Sequence, residues 1–243
     1  MSDMDLLDEF PFARHGFAGV TTGLVTNNKD PEDLGRVKVR FPWLSDKEET
    51  RWARVLTPMA GRGRGLYILP EVDDEVLVAF EHGDMNFPYV LGALWNGKDK
   101  PPGSNKDGKN NFRTLKSRSG HVITLDDTEG KEKIIVRDKT EKNEIVVDSQ
   151  KNSLTVKVDG DLTIESRGAI TVKSSGGDIR IECRNLAVET KQNCEIKASG
   201  NFTVQASGPL AVKGSDVTVQ ANAQLALRGS NGVMVNDGAL EVK

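Results

Sequence analysis

The sequence predicts an all-β protein in two parts: a small five-stranded barrel near the N-terminus, then a needle in which three copies of the chain wind about one axis. Three observations carry this prediction. An apolar–any–apolar triplet recurs about every eight residues through the last part of the chain. Five runs rich in Val, Leu and aromatics, separated by Gly, Pro, Asn and Asp, crowd into residues 20–97. Apolar residues make up only 37% of 243 residues, which suits an elongated molecule better than a compact globule.

Residues 1–19 read as an acidic lead-in carrying Asp3, Asp5, Asp8 and Glu9. They lack the basic start and apolar core of a signal peptide, so synthesis in the cytoplasm is expected. No run approaches the ~18 apolar residues of a transmembrane helix. Residues 20–97 hold the expected strands Val20–Thr26, Arg36–Phe41, Trp52–Thr57, Glu75–Glu81 and Tyr89–Trp95. Five strands in so short a stretch fit the oligonucleotide/oligosaccharide-binding (OB) barrel. Residues 98–112, polar and rich in Pro, Gly and Asn, read as a linker. Residues 113–150 read as a β-meander neck with strands at Val122–Leu125, Ile134–Val136 and Ile145–Val147. Residues 151–243 form the repeat.

The repeat has twelve beats: Leu154/Val156, Leu162/Ile164, Ile170/Val172, Ile179/Ile181, Leu186/Val188, Cys194/Ile196, Phe202/Val204, Leu210/Val212, Val217/Val219, Leu225/Leu227, Val233/Val235 and Leu240/Val242. In an extended strand, positions i and i+2 face the same side, so each beat sends two apolar side chains one way. Thr often stands between them, as at Thr155, Thr163, Thr171, Thr203 and Thr218, and a polar residue usually follows, as at Lys157, Glu165 and Lys173. Gly falls six positions after the first apolar residue at Gly160, Gly168, Gly176, Gly200 and Gly208, where a turn of positive φ is expected. Each octad is thus a very short strand plus a tight turn. A single chain wound into a three-sided solenoid has only two inward residues per side. Three identical chains bring six apolar side chains to every level, at roughly 1.5–3 kcal/mol for each one buried. The trimer is therefore the favoured reading over the solenoid. It implies a rod on the order of 55–60 Å long. The first ten beats are assigned to the trimer core, and Val233, Val235, Leu240 and Val242 to a tip that binds a cap.

Chemistry-bearing residues read as structural. Asp73, Asp74 and Glu75 open a strand and Asp126–Asp127 end one; general acid–base work needs a pocket and a partner that the pattern does not supply. The glycine-rich run from Gly61 to Gly65 lacks the Lys-Ser/Thr of a phosphate loop and reads as a flexible barrel loop. His15, His82 and His121 have no ligand spacing, and Cys183 and Cys194 suit no zinc motif; Cys194 fills an apolar slot of the repeat. No catalytic residue, cofactor or metal is expected. Phe41, Trp43, Trp52, Tyr67, Phe80, Tyr89 and Trp95 could stack bases, but the net charge of −3 opposes general nucleic-acid binding, and packing is the favoured role. Charge thins along the repeat, from 17 charged residues in the 54 of Glu144–Lys197 to six in the 46 of Ala198–Lys243. A tip with less charge costs less to push through a bilayer.

The strings GRVKVRFPW (Gly35–Trp43), LPEVDDEVLVAFEHGD (Leu69–Asp84), PYVLGALWNG (Pro88–Gly97) and SGHVITLDDTEGKE (Ser119–Glu132) make the chain resemble a known family. It is similar over residues 20–243 to the valine-glycine-repeat spike proteins of type VI secretion, to phage baseplate assembly protein V, and to spikes of extracellular contractile injection systems. The resemblance implies a barrel at the base, a three-chain β-helix needle, and a spike at the tip of a contractile tube. It implies a PAAR-repeat cap protein at the tip. Type VI spikes usually carry a large N-terminal hub domain; only about 20 residues precede the barrel, so a separate hub protein is expected to dock on the lead-in. The linker is too short for the lysozyme that some phage spikes insert, the upstream histidines leave no apical His-x-His iron site expected, and no effector extension is expected after Lys243. Asp73 stands where the family string has Gly, which questions the local turn.

The expected function is therefore structural: a homotrimeric spike, not an enzyme, carried in an assembled contractile particle and in transient contact with a target membrane. A polysaccharide-active or glycan-binding single-chain solenoid is the alternative from another class. It needs acids paired across neighbouring coils, which the outward Lys, Glu and Gln do not supply. A nucleic-acid-binding OB protein is the third reading.

Overall fold

The computed structural model describes Phe17 and residues 19–234, which are all-β apart from one 3-10 turn at Glu81–Gly83. Nearly all of the lead-in, with His15, and Val235, Leu240 and Val242 of the expected tip lie outside the described residues. The chain divides into two units, Met1–Gly168 and Ala169–Lys243.

The strands of the barrel are β1 (Val20–Asn27), β2 (Arg36–Arg40), β3 (Ala53–Val55), β6 (Glu75–Phe80) and β7 (Pro88–Ala93). They close in the order β1–β2–β3–β7–β6, with β6 returning to pair with β1. All pairs are antiparallel except β3 and β7, where Arg54 lies opposite Tyr89 and Val55 opposite Val90. Closure buries one residue in two along β2 and β6, as period-two alternation demands. Val25, Val37, Val39, Val76, Val78 and Val90 are fully enclosed, with Ala53, Phe41 and Phe80 completing the core. β-Branched residues fit a pleated wall, and their short side chains fill a narrow barrel without voids. Phe80 meets Phe41 and Phe17 edge-on at 5.7 and 5.4 Å, and Phe17 stacks on Trp43.

The expected barrel strands are present, with shifted ends. The third, expected as Trp52–Thr57, is three residues long, because beyond Leu56 the chain turns away: the Thr57 hydroxyl donates to the Leu66 carbonyl at 2.6 Å. The run Gly61–Gly65, read as a loop, holds a minimal hairpin of β4 (Ala60–Gly61) and β5 (Arg64–Gly65). A side chain at Gly65 would meet the Met59 carbonyl oxygen at 2.6 Å, and φ there is +153°.

The neck is larger than expected. Its three expected strands are β9 (Val122–Asp126), β10 (Lys133–Arg137) and β11 (Glu144–Asp148), flanked by β8 (Phe112–Lys116) and β12 (Ser153–Lys157) in one antiparallel meander. The first beat of the repeat, Leu154/Val156, is thus also the last strand of the meander, opposite Val147 and Ile145.

From Val158 to Met234 no strand forms within the chain, and every residue is exposed. A ladder needs a neighbouring strand, and the single chain offers none along this stretch. The repeat glycines correct one expectation. Gly160, Gly168, Gly176, Gly200 and Gly208 each sit at a bend, yet none has positive φ. Around them a side chain would meet nothing nearer than 3.9 Å, so the bends use ordinary backbone and open space.

Gly23 has the opposite character. A Cβ there would lie 2.4 Å from Val39 Cγ1 and 2.9 Å from both the Arg40 carbonyl oxygen and Phe41 Cδ1. Gly23→Ala is expected to destabilise the barrel by about 1–3 kcal/mol, read from urea unfolding followed by tryptophan fluorescence.

Candidate functional site

The titratable groups of the barrel are committed to its loops. Asp30 organises the β1–β2 connection. Its carboxylate accepts from the backbone N–H of Glu32 and Leu34 at 3.1 Å and of Arg36 at 3.3 Å, and from Arg36 Nε and Nη2 at 2.8 Å. The bidentate guanidinium holds the Asp30 carboxyl well below the usual carboxylate range, with the backbone donors helping against the cost of burial. The sequence reading missed Asp30; a lone Asp-Pro in a loop carries no signal of the five donors that converge on it.

The expected structural acids are placed accordingly. Asp73 has φ +75°, and its N–H donates to the Val25 carbonyl at 2.8 Å. Asp thus takes the left-handed conformation that the family string assigns to Gly, which short polar side chains tolerate. The Asp74 carboxylate accepts from Glu71 N–H, and Glu75 accepts from the Asn96 amide, each at 2.8 Å. Asp126 accepts from Thr128, and Asp127 pairs with Arg113. His82 sits in the 3-10 turn with φ +51°, and His121 Nδ1 accepts from Lys139 N–H at 3.2 Å. Among the described residues no three His, Cys, Asp or Glu gather as metal ligands; Cys183 and Cys194 are exposed free thiols.

The outer face of β2 tests the nucleic-acid reading. Its cations are matched: Arg36 by Asp30 and Glu32, Lys38 by Glu49 at 3.1 Å, and Arg40 by Asp46 at 3.8 Å. Lys38 also caps the Trp52 ring, and Arg54 caps Tyr89, each at 5.6 Å. A face neutralised in this way lacks the positive field that attracts a phosphate backbone. Phe41 and Phe80 belong to the core, while Trp43 donates from Nε1 to the Thr21 hydroxyl; Tyr67 and Trp95 are exposed.

The surface left without a partner is apolar. The loop from Leu56 to Leu69 edges a groove of about 700 Å³ where Met59, Leu66 and Tyr67 are exposed. In the neck, one face carries two cross-strand ladders, Leu125–Ile134–Val147–Leu154 and Ile123–Val136–Ile145–Val156, all exposed. The opposite face pairs Lys133 with Asp148 and Arg137 with Glu144. These ladders are the same apolar–any–apolar triplets as the repeat, at wider spacing.

Beyond the neck lies the expected trimer core, and within one chain it is not a core. Leu162 and Ile164, Ile170 and Val172, Ile179 and Ile181, Leu186 and Val188, and Cys194 and Ile196 are all exposed. So are Phe202 and Val204, Leu210 and Val212, Val217 and Val219, and Leu225 and Leu227, together with Val233 of the expected tip. The burial expected of these side chains belongs to three chains together, and their exposure in one chain has a physical reason. Each beat brings only two apolar residues, and among the described residues none covers them to exclude water. Leu154 and Val156 differ in having β11 as a strand neighbour, yet their outer face is equally open.

Comparison with known proteins agrees with the barrel. Residues 21–95 match the type VI secretion system/phage-baseplate injector OB domain. The chain is similar to the type VI secretion system spike protein VgrG2a of Pseudomonas aeruginosa, 33% identical over 106 residues, covering 40% of this chain and 12% of that protein. It is also similar to spike protein VgrG5 of the same organism, 30% identical over 141 residues, 54% of this chain and 18% of that protein. A third relative is the actin cross-linking toxin VgrG1 of Vibrio cholerae, 26% identical over 170 residues, 65% of this chain and 15% of that protein. The chain thus spans less than a fifth of the length of these relatives. No helix among the described residues is long and apolar enough to cross a membrane.

Two predictions concern the loops. Asp73→Gly is expected to fold at least as stably as the natural chain, and Asp73→Val to lose about 1–2 kcal/mol in urea unfolding. The second concerns acid. Thr140 and Asn143 lower the Asp138 carboxyl from 3.8 to about 2, and Arg36 lowers that of Asp30 further. Depressed carboxyls contribute fully above the unfolded value near 3.8, and that contribution is lost as pH falls through about 2. Thermal melts from pH 5 to pH 2 should therefore show a falling midpoint, with a smaller slope in Asp30→Asn.

A closed barrel in which β3 runs parallel to β7, the match along it to the injector OB domain, and relatives that are spike proteins lead to one conclusion: residues 21–95 form a type VI secretion system/phage-baseplate injector OB domain, and the chain is similar to spike proteins.

Proposed function

We propose that three copies of this chain form the central spike at the tip of a contractile injection apparatus. The barrels make its base, residues 151–243 intertwine into a triple-stranded β-helix needle, and sheath contraction drives the needle into the target envelope. The observation that carries this reading is the repeat itself. Ten beats from Leu162 to Val233 keep their spacing, and their described members stand exposed in the single chain. Apolar side chains in such number are not left in water by a stable protein, and three chains around an axis bury them at every level. The barrel match and the spike relatives support the same assignment independently.

In this assembly the work is mechanical. A hub or baseplate protein receives the lead-in and the base of the barrels. A PAAR-repeat cap protein seats on the end near Val233, where strand edges run out. The particle is assembled from chains made in the cytoplasm, and the tip with its few charges meets the target membrane only transiently. No residue is assigned to catalysis.

Light scattering of the full-length chain, with and without hot SDS, tests the proposal. The expected result is a mass of three chains that resists detergent. A monomer under all conditions overturns it. Ile196→Asp is expected to abolish the resistant trimer, since it sets three carboxylates at one level of a dry core. A fully heat-stable Ile196→Asp trimer refutes the core assignment.

A further inference from the structure

We propose that the acidic lead-in of this chain folds back onto its own barrel, with residues 3–8 in the groove edged by the loop from Leu56 to Leu69. The inference goes beyond the spike reading and does not depend on it, because seat and occupant belong to one chain. The segment assigned to a hub is what the free protein holds here.

The groove joins two kinds of surface. Leu34, Met59, Leu66 and Tyr67 leave apolar side chains exposed along it, and Tyr67 keeps 77% of its surface open to water. Arg54 and Arg64 line the same groove, and Arg62 stands beside Arg64 in the hairpin of β4 and β5. The cations of β2 are matched by carboxylates. Among the described residues no carboxylate forms an ion pair with Arg54, Arg62 or Arg64. Asp33 is the single acid among the described lining residues. A seat of apolar side chains with unmatched guanidiniums beside them suits a peptide in which apolar and acidic residues are interleaved.

The lead-in has that composition. Asp3, Asp5 and Asp8 are interleaved with Met4, Leu6 and Leu7, Glu9 follows, and no Lys or Arg stands before Arg14. Its tether also fits. Phe17 stacks on Trp43, which lies just beyond the end of β2, whereas Leu34 and Gly35 of the groove precede the start of that strand. Leu34 is nine residues before Trp43, so the two lie no more than about 30 Å apart. Asp8 is likewise nine residues before Phe17, so an extended lead-in brings Asp8 and the residues before it within reach of the groove.

Limited chymotrypsin digestion of the full-length chain tests the seat, with mass spectrometry following the release of N-terminal peptides cut after Leu6, Leu7 or Phe12. Four variants accompany the wild type: Tyr67→Asp, the doubly reversed hairpin Arg62→Glu/Arg64→Glu, the doubly reversed lead-in Asp5→Arg/Asp8→Arg, and Lys100→Glu on the linker. Tryptophan fluorescence in urea checks that each barrel stays folded. Tyr67→Asp and each double reversal are expected to speed release at least about fivefold, because cutting follows the fraction of lead-in off the groove. Lys100→Glu should match the wild type. Both reversals in one chain should restore slow release. Equal rates in all chains, or a combined variant as fast as either reversal alone, overturn the proposal. Mixing the two reversed chains before refolding identifies the occupant: release stays fast if each lead-in seats on its own barrel. Release slower in the mixture than in either chain alone assigns the groove to the lead-in of another copy and overturns the proposal as stated. A monomeric wild type with a protected lead-in upholds this inference and removes the spike reading; a resistant trimer with an unprotected lead-in does the reverse.

Discussion

The barrel depends on how closely β1 can lie against β2. Six valine side chains fill its interior, and Gly23 stands where any side chain would collide with Val39 and the β2 backbone. Because Gly23 lacks a Cβ, β1 can pair with β2 on one side and with β6 on the other, which turns an open sheet into a closed one. Closure removes strand edges and completes the core with small β-branched residues. The Asp30–Arg36 clamp then stiffens the loop between those two strands, and the parallel pairing of β3 with β7 completes the ring.

Downstream, the same alternation meets a different fate. The neck and the repeat present apolar residues at alternate positions, as the barrel strands do, but there these side chains stand exposed among the described residues. An apolar side chain gains its burial energy wherever water is excluded, whether the covering atoms belong to the same chain or to another. In the proposed spike, burial of this kind is spread along the whole length. That suits a part loaded along its axis, because no single contact carries the force.

The charged residues point the same way. Asp74, Glu75, Asp126, Asp127 and Asp138 spend their carboxylates on turns and on neighbouring cations, and the cations of β2 are matched by carboxylates. These interactions shape loops rather than activate a substrate. Similarity to spike proteins and the commitment of these groups to structure agree with one another.

Much was legible in the sequence because strand periodicity is local. Alternating Val at 37 and 39, and at 76 and 78, announces two barrel walls, and the repeat announces itself by spacing alone. The fifth strand of the neck was hidden because Leu154 and Val156 fit the repeat and the meander equally well. The left-handed backbone at Asp73 and the hairpin at Ala60–Gly65 depend on which atoms come near, which no spacing records. The same holds for Asp30, whose five donors meet it only once β1 and β2 have paired. Sequence by itself determined the five barrel walls, the three central strands of the neck, and which side of each is apolar. Tertiary structure decided which of those sides the chain covers for itself and which it leaves bare, because burial depends on strands that lie far apart in the chain.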